Sequence, residues 1–155
     1  MRDLSRLDAL CDPALLSTVA KELAMGENVE VLRSAYEAFG RGDMQAVTAT
    51  WETDIEYVGP SGGRAPGADH HRGKEEVARL FSGMRDRWEG LLLSPDEFVE
   101  HGGTVVVLGH MEGRAKATGR DVNVPFAHVW RLRDGKVHHG QALTDTAALS
   151  EASRG

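Results

Sequence analysis

The chain has 155 residues, 41% hydrophobic and 27% charged, with a formal net charge of -6, a balance that suits one soluble globular domain with a modest core. The acidic excess, with Arg residues interleaved among Asp and Glu, excludes the clustered basic face a nucleic-acid binder needs. Cys11 is the only cysteine, which rules out an internal disulfide and argues against thiolate metal chelation.

The amino terminus, M-R-D-L-S-R-L-D, mixes acids and bases where a signal peptide has an apolar core, and no apolar run approaches the roughly 20 residues of a membrane span. The expectation is a cytoplasmic protein with no membrane partner. Residues 1–26 read as an N-terminal helical extension: Asp12-Pro13 supplies N-cap and first helical residue, Leu15, Leu16, Val19 and Leu23 recur at helical spacing, and Gly26 ends it. Asn28 is the expected cap of a second helix, whose stripe Leu32, Ala35, Tyr36 and Phe39 runs until Gly40 and Gly42 stop it. Asp43 caps a third helix ending near Trp51. A strand is expected over about 54–59, then a Gly/Pro-rich loop to about 72, then a helix with Val77, Leu80, Phe81, Met84 and Trp88 on one face. From Leu91 onward the apolar period is closer to two. Turn signals H-G-G (101–103), T-G-R-D (118–121) and R-D-G-K (133–136) separate four strands of an antiparallel meander. T-A-A-L-S-E-A-S (146–153) adds a short closing helix capped by Thr144 or Asp145. Helices first and strands second make an α+β domain with the helices on one sheet face.

The strand over 122–133 sorts Phe126, His128, Trp130 and Leu132 to one face and Ala127, Val129, Arg131 and Arg133 to the other. His128 therefore sits among large apolar neighbours, where lost hydration lowers a histidine pKa and poises it for proton transfer near neutrality. The same pattern fits a core histidine satisfied by one backbone carbonyl. Tyr57 shares its face with Ile55 and Gly59, and reads as a buried tyrosine with its hydroxyl at a rim. The pairs His70-His71 in the loop and His138-His139 on the last strand fail as metal sites, because His138 and His139, as strand neighbours, point to opposite faces and His70-His71 lacks the helical H-x-x-x-H spacing. No metal and no cofactor are expected: the chain lacks a G-x-S-x-G elbow, a Walker loop and G-x-G-x-x-G.

The runs A-Y-E-A-F-G-R-G-D-M-Q-A-V (35–47), T-D-I-E-Y-V-G-P, H-R-G-K-E-E-V-A-R-L-F, H-V-W-R-L-R-D-G-K-V and D-T-A-A-L resemble, in order and spacing, the SnoaL-like branch of the NTF2-like superfamily. The resemblance covers about residues 27–150, within an expected SnoaL-like domain over 27–155. It implies a cone, a curved mixed or antiparallel sheet wrapped around the helices, with an apolar pocket inside and dimerisation through the outer sheet face. Ketosteroid isomerases, similar at the same level, carry an aspartate base at the position of Gly59, and their second, neutral acid matches His128. Polyketide cyclases of the SnoaL type pair a histidine matching His128 with an aspartate whose position falls on Ala142. The chain keeps the histidine and lacks both carboxylates. Asp145 or Gln141 on the last strand, or Asp69 from the loop, are replacement candidates, with Asp145 also reading as a helix cap.

Two functions stay open at this level. In the first, a hydrophobic carbonyl compound such as a polyketide intermediate binds in the cone and undergoes cofactor-independent cyclisation, isomerisation or dehydration through an enolate. His128, Tyr57 and Asp145 are then the catalytic candidates, while Tyr36, Trp88, Phe126, Trp130 and Gln141 contact substrate. In the second, the domain is a non-catalytic ligand-binding or dimerisation module. A cavity in which His128 has a second polar partner within hydrogen-bond reach favours the first, and one filled by Phe126, Trp130 and Trp88 favours the second.

Overall fold

The computed structural model describes residues 12–60 and 69–154, with the backbone alone over 21–25. Helix α1 (Pro13–Arg41) begins as expected: the Asp12 carboxylate accepts from the Ala14 N–H at 2.9 Å and Pro13 occupies the first turn. It ends at Gly42, whose left-handed φ of 77° lets its N–H reach the Ala38 and Phe39 carbonyls. Between these caps the helix is continuous, so the expected break at Gly26 is overturned. Gly26 does not take a positive φ and is preceded by the strong helix formers K-E-L-A-M, which carry the helix through at a cost of about 1 kcal/mol. Asn28 caps nothing and instead donates to Glu100 Oε1 on the sheet at 2.8 Å. Leu15, Leu16 and Val19 are exposed; the Leu23 side chain and residues 1–11 of the expected extension lie outside the described residues.

Helix α2 (Met44–Ala49) is capped by Asp43, which accepts from the Ala46 N–H at 3.0 Å. Strand β1 (Trp51–Val58) starts earlier than expected, because Trp51 pairs with Val137 and is no longer helical. The expected loop also ends sooner, with β2 (His70–Arg72) pairing antiparallel to β1. Helix α3 (Lys74–Arg87) sets Glu75 and Glu76 in its first turn and Arg85 and Arg87 in its last, matching the helix dipole. Trp88 is extended (φ -118°, ψ 133°) and opens the sheet instead of closing the helix. The expected meander follows: β3 (Trp88–His101), β4 (Thr104–Ala115), β5 (Asp121–Arg133) and β6 (Lys136–Thr144). Its last hairpin turns on Asp134-Gly135, both at positive φ (51° and 72°), the geometry a two-residue hairpin loop requires. Helix α4 (Thr146–Ser153) closes the chain, with Asp145 as its cap.

The six strands form one sheet in the order β2-β1-β6-β5-β4-β3, parallel only between β1 and β6. Register breaks in β1/β6, β3/β4 and β5/β6 bend it. Leu32, Phe39, Val47, Ile55, Val77, Val105, Val107 and Val137 fill the space between its inner face and α1 to α3. This is the α+β arrangement read from the order of elements. No described helix is long and apolar enough to cross a membrane.

Candidate functional site

Register lays out the inner wall of the sheet. Val105, Trp130, Gly140 and Tyr57 lie opposite one another across β4, β5, β6 and β1, and Val107, His128 and Ala142 form the adjacent row. A Cβ on Gly140 would clash with the Trp130 ring and stand 3.1 Å from Tyr57; one on Gly109 would stand 2.6 Å from the Phe126 ring. The two aromatic rings thus lie over glycines on neighbouring strands, which lets them pack flat against the sheet. Between this wall and the helices is a cavity of about 610 Å³. Its surface is mostly aromatic and aliphatic, so a few polar groups set its chemistry.

Three of those groups form a relay. The Trp130 indole N–H donates to the Tyr36 hydroxyl at 3.0 Å, and that hydroxyl lies 2.6 Å from His128 Nδ1. With its oxygen accepting from Trp130 and no other acceptor in reach among the described residues, Tyr36 gives its proton to Nδ1. The consequence is a fixed tautomer: Nδ1 accepts and Nε2 carries the hydrogen. The His128 ring stacks on Phe126 at 4.1 Å between centroids and meets the Trp130 edge at 6.0 Å. Its uncovered surface faces the cavity that it lines. Burial pushes its pKa down to about 3, so the imidazole is neutral across the physiological range. Burial likewise raises the Tyr36 hydroxyl pKa, an effect the Trp130 N–H opposes and Tyr57 reinforces. Burial raises Tyr57 as well. Both tyrosines are proton donors, never phenolates, near neutral pH.

Of the residues expected at the site, His128, Tyr57, Tyr36, Trp88, Phe126 and Trp130 all line the cavity. So do Gly59 and Ala142, neither of which brings a carboxylate. Asp145 does not line it: its carboxylate accepts from the Ala148 N–H at 3.0 Å as the helix cap. Gln141 pairs with Val129 and Val58, one residue out of phase with the inward row, and also lies outside the lining. His70 and His71, expected in a loop, lie on β2, where His71 lines the cavity and bonds Glu76 at 3.0 Å while His70 is exposed. Among the described residues no cluster of three His, Cys, Asp or Glu is placed to hold a metal. The sequence reading missed the role of the Trp130 N–H, since alternation reports the face of a side chain but not the direction of its polar atom. It also missed Trp51, a wall residue assigned to a helix end.

A family model described as the SnoaL-like domain matches residues 32–139. No curated protein is similar enough to match. Among solved structures, an NTF2-like protein of unknown function from Burkholderia pseudomallei K96243 is 31% identical, with TM-score 0.76 over 83% of this chain and 98% of that one. An NTF2-like protein from Burkholderia xenovorans LB400 is 33% identical, with TM-score 0.73 over 84% of this chain and 98% of that one. TerC, co-crystallised with polyporic acid, is 28% identical, with TM-score 0.73 over 82% and 98% of the two chains.

Proposed function

Because the chain belongs to the SnoaL-like family, we propose that its cavity takes up a hydrophobic carbonyl compound and performs cofactor-independent, enolate-type chemistry on it, with His128 holding the carbonyl oxygen. The observation that carries this reading is the relay from Trp130 through Tyr36 to His128 Nδ1 on the wall of the cavity. It leaves Nε2–H as the one proton His128 can present to a ligand. A neutral donor of fixed orientation in an apolar enclosure stabilises charge developing on oxygen far better than water does, because no reorganisation is needed when the charge appears. Tyr57, on the same wall and held as a neutral phenol, is the second donor. The aromatic walls suit a flat, apolar substrate such as a cyclic polyketide intermediate. The co-crystallisation of TerC with polyporic acid supports a small organic ligand. Isomerisation, aldol cyclisation and dehydration all pass through the enolate that this donor set favours.

The same reading includes a homodimer formed through the outer sheet face, where Leu92, Val99, Leu108 and Leu143 are exposed. A binding-only reading has one observation in its favour, the absence of a carboxylate at Gly59 and Ala142. The two readings part in one assay with β-tetralone, a flat hydrophobic ketone. The enzyme reading expects the protein to speed exchange of its α-protons in heavy water, and His128→Ala to slow that exchange by roughly 10²- to 10³-fold. Binding without any acceleration of exchange favours the binding module.

A further inference from the structure

We propose that Asp69 is the base of this site: its carboxylate takes the proton from the carbon next to the carbonyl that His128 holds. This rests on the enolate reading above and supplies the group that reading lacks. Among the described residues, Asp69 is the one charged side chain counted with the buried core, at 7% exposure.

Its direction follows from the ladder. The Gly59 N–H donates to the Asp69 carbonyl at 2.8 Å, which continues the β1/β2 pairing one step beyond Val58 and His70. Asp69 therefore stands opposite Gly59, on the inward face shared with Tyr57 and His71, and all four line the cavity. Gly59 points the same way. Gly109 and Gly140 are glycine because rings or backbone occupy the space of a Cβ, and Gly42, Gly73 and Gly135 because of positive φ. Neither reason applies to Gly59, which has ordinary φ and would place a Cβ in normal contact with its neighbours, 3.6 Å from the Asp69 Cβ and 4.0 Å from Tyr57. What its missing side chain provides is space in front of Asp69.

Location and charge set Glu76, Asp145 and the two tyrosines aside, and His71, which lines the cavity, has its Nδ1 engaged with Glu76 at 3.0 Å. Glu76 and Asp145 do not line the cavity, and Tyr36 and Tyr57, which do, keep their protons near neutral pH. In the step assigned to Asp69, the α C–H bond breaks and the proton moves to a carboxylate oxygen. The electron pair forms the C=C bond of the enolate, and the carbonyl π pair moves to the oxygen held by His128 Nε2–H and Tyr57. Return of the proton from the Asp69 carboxylic acid to the same or a conjugated carbon completes exchange or isomerisation with no other reactant.

The test uses β-tetralone with two readouts, quenching of tryptophan fluorescence for binding and α-proton exchange in heavy water for proton removal. Asp69→Asn is expected to lower exchange by roughly 10²- to 10⁴-fold while affinity changes by less than about threefold. The double variant Gly59→Asp with Asp69→Gly moves the carboxylate one strand across the ladder. It is expected to recover at least about tenfold over Asp69→Asn, which a merely structural role for Asp69 would not produce. If Asp69→Asn does not fold, recovery in the double variant relative to Asp69→Gly decides. Exchange at the wild-type rate in Asp69→Asn, with His128→Ala still impaired, overturns the assignment of Asp69 and leaves the enolate reading standing. Binding of the ketone by the wild type with no exchange above buffer overturns both.

Discussion

Acid has to force a proton onto His128, because burial holds its pKa near about 3 in the folded chain while the unfolded histidine titrates at its ordinary value of about 6.5. Between those values the unfolded chain binds a proton that the folded chain does not, so this residue makes stability fall as pH falls. The slope approaches about 1.4 kcal/mol per pH unit, and the contribution is whole only above the unfolded pKa. In urea unfolding, wild type should lose about 2 kcal/mol relative to His128→Gln between about pH 7 and about pH 5. Parallel pH profiles would show that residue 128 titrates normally. The face and neighbours of His128 and the direction of its pKa shift were legible in the sequence, since strict alternation on 122–133 places it between Phe126 and Trp130, but the expected poise for proton transfer near neutrality is overturned, because burial carries the pKa down to about 3. The tautomer was not legible. It depends on Tyr36 arriving from a helix 92 positions away in the chain, a distance over which periodicity carries no information.

At the level of elements, glycines that look alike in the sequence have opposite effects. Gly26 lies inside α1, and a methyl group placed on it would have nothing within 4 Å. Gly26→Ala should therefore stabilise the protein by about 1 kcal/mol in thermal or chemical unfolding, and a loss would mean that α1 is not continuous there. Gly140→Ala should destabilise by at least about 2 kcal/mol, because the new methyl meets the Trp130 ring and displaces it from its contact with Tyr36. An unchanged unfolding midpoint would contradict that packing. Strand and turn positions in the meander were legible because H-G-G, T-G-R-D and R-D-G-K are strong breakers between alternating runs. The break assigned to Gly26 was wrong because glycine ends a helix only where the chain adopts left-handed φ, as Gly42 does. The β1 start and β2 were missed for a related reason: both are set by pairing with distant strands, Trp51 with Val137 and Val58 with His70.

On the scale of the whole molecule, the two faces of the sheet differ in what they present. The inner face builds the cavity, and the outer face exposes Leu92, Val99, Leu108 and Leu143. If the outer face joins two copies, Leu108→Glu combined with Leu143→Glu should yield a monomer by light scattering with unchanged circular dichroism. A dimer of undiminished stability would place the interface elsewhere. The fold family was visible in five short runs because they are spaced by the architecture itself; Asp69 was one of three replacement candidates read from the sequence, and only the strand register sets it opposite Gly59 on the cavity wall. Everything proposed for the cavity depends on neutral His128 donating from Nε2 to a bound carbonyl, and the infrared carbonyl stretch of bound β-tetralone reads that hydrogen bond itself. The stretch should move to lower frequency on binding to wild type, with most of the shift lost in His128→Ala, where Tyr57 alone remains as donor, and a smaller part lost in Tyr36→Phe. A bound ketone whose stretch matches its value in an apolar solvent, in wild type and variants alike, would mean that His128 does not hold the carbonyl.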